Sequence, residues 1–317
     1  MSKQIGIHRV LLTATAGAGF ILAWSSGFVI PAMMPTEVHW ITLLVWRFVP
    51  LAVLLVAIAI ATGRARGVTR NEVRGQALIG LFAQTGYCVF VYAAIGSGVA
   101  VGTTALVDAI QPLLVATLVG PLLGLRVRGA QWAGLIVGAG GVALVVSTHL
   151  GSSTAPLAAY GLPALAMACL VAGTFLQRRS ESTTPVIVVL TIHVTVTAIV
   201  CLVLAVVTGT LVPPTTASFW LSALLAAVFP TLAAYGLYWW LLRRIGITAL
   251  NALLFLIAPA TAIAGWALLG EPMTVITLAG FALCGAGVAA VLVSEARSAT
   301  PDAGQGASSP EATVSAG

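Results

Sequence analysis

Apolar residues fall into ten long runs, each near the 20 or so residues that a helix needs to cross the hydrocarbon core of a bilayer. The runs cover 10–31, 38–62, 75–95, 99–123, 130–148, 157–177, 186–211, 217–241, 246–269 and 273–293. Short polar breaks separate them, such as Gly96-Ser97-Gly98 after the third and Leu125-Arg126-Val127-Arg128 after the fourth. The first run follows Lys3 and Arg9 and so imitates a secretory leader. At 22 residues it exceeds a usual apolar signal core, and no small-residue cleavage site follows it, so a retained helix is expected. The pattern predicts an all-α membrane protein with ten transmembrane helices.

Composition agrees. Hydrophobic residues make up 60% of the chain and charged residues 7%, with a mean hydropathy of +1.08. A soluble domain carries about 25% charge. The net charge of +6 does not point to nucleic acid, because the basic residues sit in short clusters between apolar runs. Those clusters orient the chain, since cytoplasmic loops are rich in Lys and Arg. With the N-terminus inside, the inner segments hold Lys3, Arg9, Arg64, Arg66, Arg70, Arg74, Arg126, Arg128, Arg178, Arg179, Arg243, Arg244 and Arg297, which is 13 of the 14 basic residues. The fourteenth, Arg47, falls inside a span. The expected setting is the cytoplasmic membrane with both termini cytoplasmic: a short segment 1–9 at one end and, from Ser298 on, a disordered Ala, Gly, Ser and Pro-rich tail at the other. Cys88, Cys169, Cys201 and Cys284 lie in apolar runs without metal-ligand spacing, so packing is their expected role, and neither metal nor cofactor is expected.

The chain also resembles itself at a shift of 146 residues. Gly27 meets Gly173, Thr62-Gly63 meets Thr208-Gly209, Tyr92 meets Tyr238, Gly134 meets Gly280, and Gly141-Val142-Ala143 meets Gly287-Val288-Ala289. Each half, 10–148 and 157–293, holds five spans. Five is odd, so the halves cross the membrane in opposite senses. Inverted repeats are a common plan for secondary transporters, because two interchangeable arrangements about a central site provide alternating access.

Further patterns point to a family. Trp24-Ser25-Ser26-Gly27-Phe28 stands in the first span and Arg47-Phe48 in the second. Pro112 and Pro259 stand in the fourth and ninth, Leu269-Gly270-Glu271-Pro272 closes the ninth, and the fifth and tenth are Gly-rich. Over about residues 10–295 the chain resembles the drug/metabolite transporter superfamily, specifically the EamA-type ten-helix carriers. The resemblance implies export or uptake of small metabolites, amino acids or drugs. Efflux is expected by family analogy alone, with an uptake permease of the same fold as the alternative. The family often has Gly-Glu at the ends of both fourth and ninth helices; here the first half reads Gly124-Leu125-Arg126, leaving only Glu271. The four-helix relatives use a Glu in the first helix for proton-coupled cation export. Residues 10–31 contain no acid, which disfavours that design.

Polar groups at bilayer depth are functional candidates. Arg47 and Asp108 each lie about nine residues from the outer end of a span, roughly 14 Å deep. They can form an ion pair that is a strut or binds a zwitterionic substrate, and Asp108 can carry a proton. His193 aligns with Arg47 under the shift, as a hydrogen-bonding or a titrating group. Gln111 and Asn251 are suited to bonding across helices. Pro112 and Pro259 are expected to kink their helices and expose backbone to a cavity. Trp24, Tyr92, Tyr235 and Tyr238 are candidate pocket aromatics. Tyr235, Tyr238 and Trp239 share one helix face, although Trp239 and Trp240 equally suit an interface stripe beside Arg243-Arg244. Trp40 suits the outer aromatic belt. The glycine-rich helices are packing surfaces, within the chain or in a homodimer. No metalloprotease or phosphate-loop motif is present. An intramembrane enzyme built on Asp108, or a channel, remains the rival to a carrier. The expectation is a secondary transporter for a small, uncharged or zwitterionic, partly apolar metabolite, amino-acid-like or amphipathic.

Overall fold

The computed structural model describes residues 2–33, 38–99, 101–124, 126–147, 155–180, 184–269 and 273–299, side chains excepted at 2–9, 32, 101–110, 145–146, 265, 269, 295–296 and 298–299. The expected tail therefore lies almost wholly outside the described residues, as does Gly270-Glu271-Pro272. Helix α1 spans Ser2–Ala32, α2 Trp40–Ala61, α3 Arg70–Gly96, α4 Val101–Leu123, α5 Gly129–Ser147, α6 Gly161–Arg179 and α7 Val186–Thr208. Helical structure then runs from Ala217 to Leu269 and breaks at Gly246, whose φ of 82° and ψ of 174° no helix accommodates. The break makes two helices, α8 (217–245) and α9 (247–269). Helix α10 is Val275–Ala299. α1 begins eight residues before the expected span, and its apolar part starts at Val10.

Local chemistry sets several boundaries. Thr69 and Glu72 form a capping box at the start of α3. Gly209 closes α7 in the left-handed conformation. Among the described residues seven stretches are long and apolar enough to span a bilayer, and one of them, the 52 residues of Ala217–Leu268, contains the break at Gly246 and so holds two crossings. Shorter apolar stretches, Gln111–Leu123 and Gly129–Leu144, belong to α4 and α5. The protein is thus an all-helical membrane protein of two five-helix halves.

Packing follows a pseudo-twofold. α2 packs on its counterpart α7, and α5 on its counterpart α10 in the most extensive pairing of the fold. α1 packs on α8 as α6 packs on α3, and α1 meets α9 as α6 meets α4. The counterparts run antiparallel. A Cβ on Gly134 would lie 2.7 Å from the Gly287 carbonyl, and one on Gly141 would lie 2.7 Å from the Gly280 carbonyl. These glycines, expected to serve packing or a homodimer, are used inside the chain, where they bring the α5 and α10 backbones together.

The same symmetry appears in two π-helical turns, Leu81–Gly86 in α3 and Val228–Ala233 in α8. Their starts are 147 residues apart, one more than the shift seen in the sequence. Gly27 of α1 faces Pro230, at 3.1 Å from a built Cβ, and Gly173 of α6 abuts Ala83. Each half thus seats a glycine of its first helix on the π turn of the other half's third helix.

The connections α2–α3, α4–α5, α6–α7 and α8–α9 lie at one end, with Arg64, Arg126, Arg179 and Arg243, and this is the basic end. There Arg243 donates to the Thr184 carbonyl at 3.0 and 3.1 Å, and the Thr184 hydroxyl donates to Glu72 at 3.3 Å. At the opposite end the Thr42 hydroxyl donates to the Thr210 carbonyl at 2.8 Å, and the Trp46 indole donates to the Leu211 carbonyl at 2.9 Å. Trp40, expected in an aromatic belt, is half-buried, with its ring against Gly96.

Candidate functional site

The centre of the bundle collects the aromatic candidates. Trp24 is the hub, with ring centroids 5.7 Å from Tyr87, 5.2 Å from Tyr235 and 5.5 Å from Tyr238. All four rings are buried. Their hydroxyls are tied down: Tyr235 donates to the Ala83 carbonyl at 3.1 Å, inside the α3 π turn, and Tyr238 shares a 2.6 Å hydrogen bond with Thr174. Trp239, which also suited an interface stripe, is buried against His193. Trp240 does stand at the rim, with the Arg244 guanidinium 5.1 Å from its ring centre. Periodicity does not separate a core face from a lipid face, because both are apolar.

Arg47 enters this cluster from α2 and is only 2% exposed. Its Nε donates to the Thr231 hydroxyl at 2.7 Å and an Nη donates to the Tyr92 hydroxyl at 2.9 Å. Thr231 in turn donates to the Ala226 carbonyl at 2.8 Å, a carbonyl whose helical donor would be residue 230, a proline without an N–H. The guanidinium centre lies 4.8 Å from the Phe48 ring and 5.7 Å from that of Tyr92. Five N–H groups are available on a guanidinium, and these two bonds leave donors for a ligand. Asp108 lies on α4 with its side chain outside the described residues. Among the described residues, the partners of Arg47 are hydroxyls and rings.

Beside Arg47 is a cavity of about 30 Å³ lined by Trp24, Phe28, Tyr87, Tyr92, Pro230 and Tyr235, among others. That volume suits a water or two. Ligand pockets for small organic molecules run to about 300 Å³ and more, so the cavity as it stands is too small for one.

The remaining candidates divide. Gln111 and Asn251 meet each other, with Gln111 Nε2 donating to Asn251 Oδ1 at 3.0 Å, while Asn251 also donates to the Ile247 carbonyl at 2.8 Å. This pair ties α4 to α9 in the bundle core. Pro259 follows a 3-10 turn at Leu254–Leu256; lacking an N–H, it leaves the Phe255 carbonyl without its helical donor. Pro112 stands within the helical run of α4. His193 does not join the Arg47 cluster. It packs between α3 and α8, with Nε2 3.1 Å from Gln76 Oε1 and its ring 5.5 Å from that of Trp239.

Several residues at the centre were not among the expected site residues: Thr231, Tyr87, Thr174, Gln76, the buried Gln84, and Cys88, which was expected only to pack and lines the cavity. Two carried a signal. Gln76 and Gln84 are amides inside an apolar span, where polar groups are costly. Thr231 carried none, since a threonine in a span usually bonds its own helix.

Comparison with known proteins follows the same lines. The family model of the EamA-like transporter family matches residues 11–147 and again 157–293. The chain is similar to a protein of known crystal structure at 20% identity and a TM-score of 0.72, over 90% of this chain and 99% of that one, a likeness that shows the fold. No curated protein matches the sequence. The chain belongs to the EamA-like transporter family, a family of membrane transporters and not of enzymes.

Proposed function

We propose that the protein moves a small, uncharged or zwitterionic, partly apolar metabolite across the cytoplasmic membrane by alternating access around the Arg47 pocket, in the direction of efflux. One observation carries this reading. A fully buried guanidinium with donors to spare stands beside a cavity walled by Trp24, Tyr87 and Tyr235. The rings would hold the apolar part of a solute and Arg47 its polar end. The antiparallel pairing of α2 with α7 and of α5 with α10 supports two equivalent arrangements about that centre. The basic end is cytoplasmic in this reading, with both termini on that side.

Flux of a panel of amino-acid-like and amphipathic solutes in proteoliposomes, with and without a pH gradient, tests the proposal. At least one solute is expected to move above empty-liposome background. No flux across the panel, from protein shown to be folded, would overturn it. Asp108 is the proposed coupling carboxylate. Asp108→Asn is expected to abolish gradient-driven flux while solute exchange persists, and an unchanged gradient response would remove Asp108 from that role.

A further inference from the structure

The pseudo-twofold carries the Arg47 site onto a second set of residues. Arg47 of α2 maps to His193 of α7 at the shift of 146. In α3 and α8 the π turns register at 147, so Thr231 maps to Gln84 and Tyr92 maps to Trp239. One contact is preserved in place but not in kind: Arg47 hydrogen-bonds Tyr92, whereas the His193 ring makes a T-shaped contact with that of Trp239 at 5.5 Å. Each set lies about seven residues, roughly 10 Å, from the start of its α2 or α7 helix, Arg47 toward the end opposite the basic loops and His193 toward the basic end.

The two sets differ in satisfaction. Thr231 and Tyr92 both bond Arg47. In the second set, among the described residues, His193 Nδ1, Trp239 Nε1 and both polar atoms of Gln84 lack a hydrogen-bond partner, as does Nε2 of Gln76, the residue that His193 touches. These four residues are 0–1% exposed. Buried amides and ring nitrogens are almost always paired. Of the eight unpaired buried side-chain atoms among the described residues, five belong to these four residues, at the place where the symmetry puts the mate of the Arg47 set; the other three are on Gln111, Gln177 and Thr261. Resting on the carrier reading above, we propose that Gln84, His193 and Trp239, with Gln76, form a second polar subsite for the transported solute, opening from the basic end when the Arg47 side closes. The indole and amide N–H groups suit carboxylate-type acceptors. The Gln84 carbonyl suits an N–H or O–H donor, as does His193 Nδ1 when Nε2 donates to Gln76 Oε1. The solute head group therefore carries both.

Thiol accessibility tests this without knowing the solute. Cys88, Cys169, Cys201 and Cys284 are replaced by Ser, and Gln84→Cys or Thr231→Cys is introduced as the single reporter. A membrane-impermeant methanethiosulfonate is then applied to right-side-out and inside-out vesicles. Gln84→Cys is expected to react at least tenfold faster from the basic face, and Thr231→Cys at least tenfold faster from the opposite face. Gln76→Cys serves as a second reporter if Gln84→Cys fails to insert, with the same expected side. Inertness of the α3 reporters from both faces overturns the subsite. So does equal labelling of both positions from both faces, which would mark a continuous aqueous pore. Failure of the carrier reading is separate: it is absence of flux across the solute panel, whatever the labelling.

Discussion

The Arg47 and His193 sets occupy equivalent places in the two halves, yet one is built on a guanidinium bonded to two hydroxyls and the other on an imidazole among unpaired polar atoms. Arg47 brings a permanent cation into the bundle and finds two hydroxyls and two rings. His193 brings a weaker group and finds one amide oxygen and one indole face. The repeated backbone supplies the same scaffold twice, down to the π turns and the glycines seated on them. Side chains then break the equivalence. A binding centre in such a fold need not be symmetric even where the machinery that moves around it is.

Removing the cation tests the comparison most severely. Arg47→Met leaves Thr231 and Tyr92 without their donor and takes away the group that would hold a polar head. Transport of a panel-positive solute is expected to fall by about 100-fold, the equivalent of roughly 3 kcal/mol, in protein whose elution from a sizing column is unchanged. Retained flux would reduce Arg47 to a strut.

A smaller effect separates the two sets through their aromatic members. Tyr92→Phe removes one hydrogen bond to a buried charge, worth about 1.5–3 kcal/mol, and is expected to lower both the melting midpoint and flux. Trp239→Phe removes an indole N–H that has no acceptor among the described residues. It is expected to leave the midpoint unchanged or raise it, because the indole's lost packing is set against about 1–3 kcal/mol of relieved desolvation. A fall in midpoint as large as that of Tyr92→Phe would show that the indole is satisfied after all.

The glycine seats give the finest distinction. A Cβ on Gly27 would stand 3.1 Å from a proline side chain, a gap closed by a shift of tenths of an ångström. Alanine also gains about 1 kcal/mol of helix propensity, so Gly27→Ala is expected to be near neutral. At Gly173 a Cβ would lie 2.7 Å from the Ala83 amide nitrogen and 2.8 Å from its Cα. Backbone must move there, and Gly173→Ala is expected to cost about 1–3 kcal/mol, measured by thermal unfolding in detergent. Equal costs would mean that the two π turns are equally yielding.

Much of the architecture was legible without coordinates. Ten runs, the break near Gly246, the two inverted halves and the close-packing glycines all follow from chain chemistry. Gln111 and Asn251 were suited to cross-helix bonding, and they bond each other. The site was legible only as a set of names. Arg47 was visible as a buried cation, but Thr231, 184 residues away, was not visible as its partner. Tyr235 and Tyr238 share a helix face, yet their hydroxyls bond different helices, to Ala83 of α3 and Thr174 of α6.

By itself the sequence determined the number of crossings, their alternation and the repeat. A bilayer imposes a length on every apolar helix and a sign on every loop, and both constraints act locally along the chain. Only the tertiary structure decided which polar groups meet and which are left unpaired. Those meetings depend on helix rotation and on register: α3 begins at Arg70 and α8 at Ala217, one residue more than the 146-residue shift, so the extra residue lies in the connection before α8. A one-residue displacement turns a helix face by about 100°, which is enough to exchange Thr231 for its neighbour beside Arg47 and Trp239 for Tyr238 beside His193.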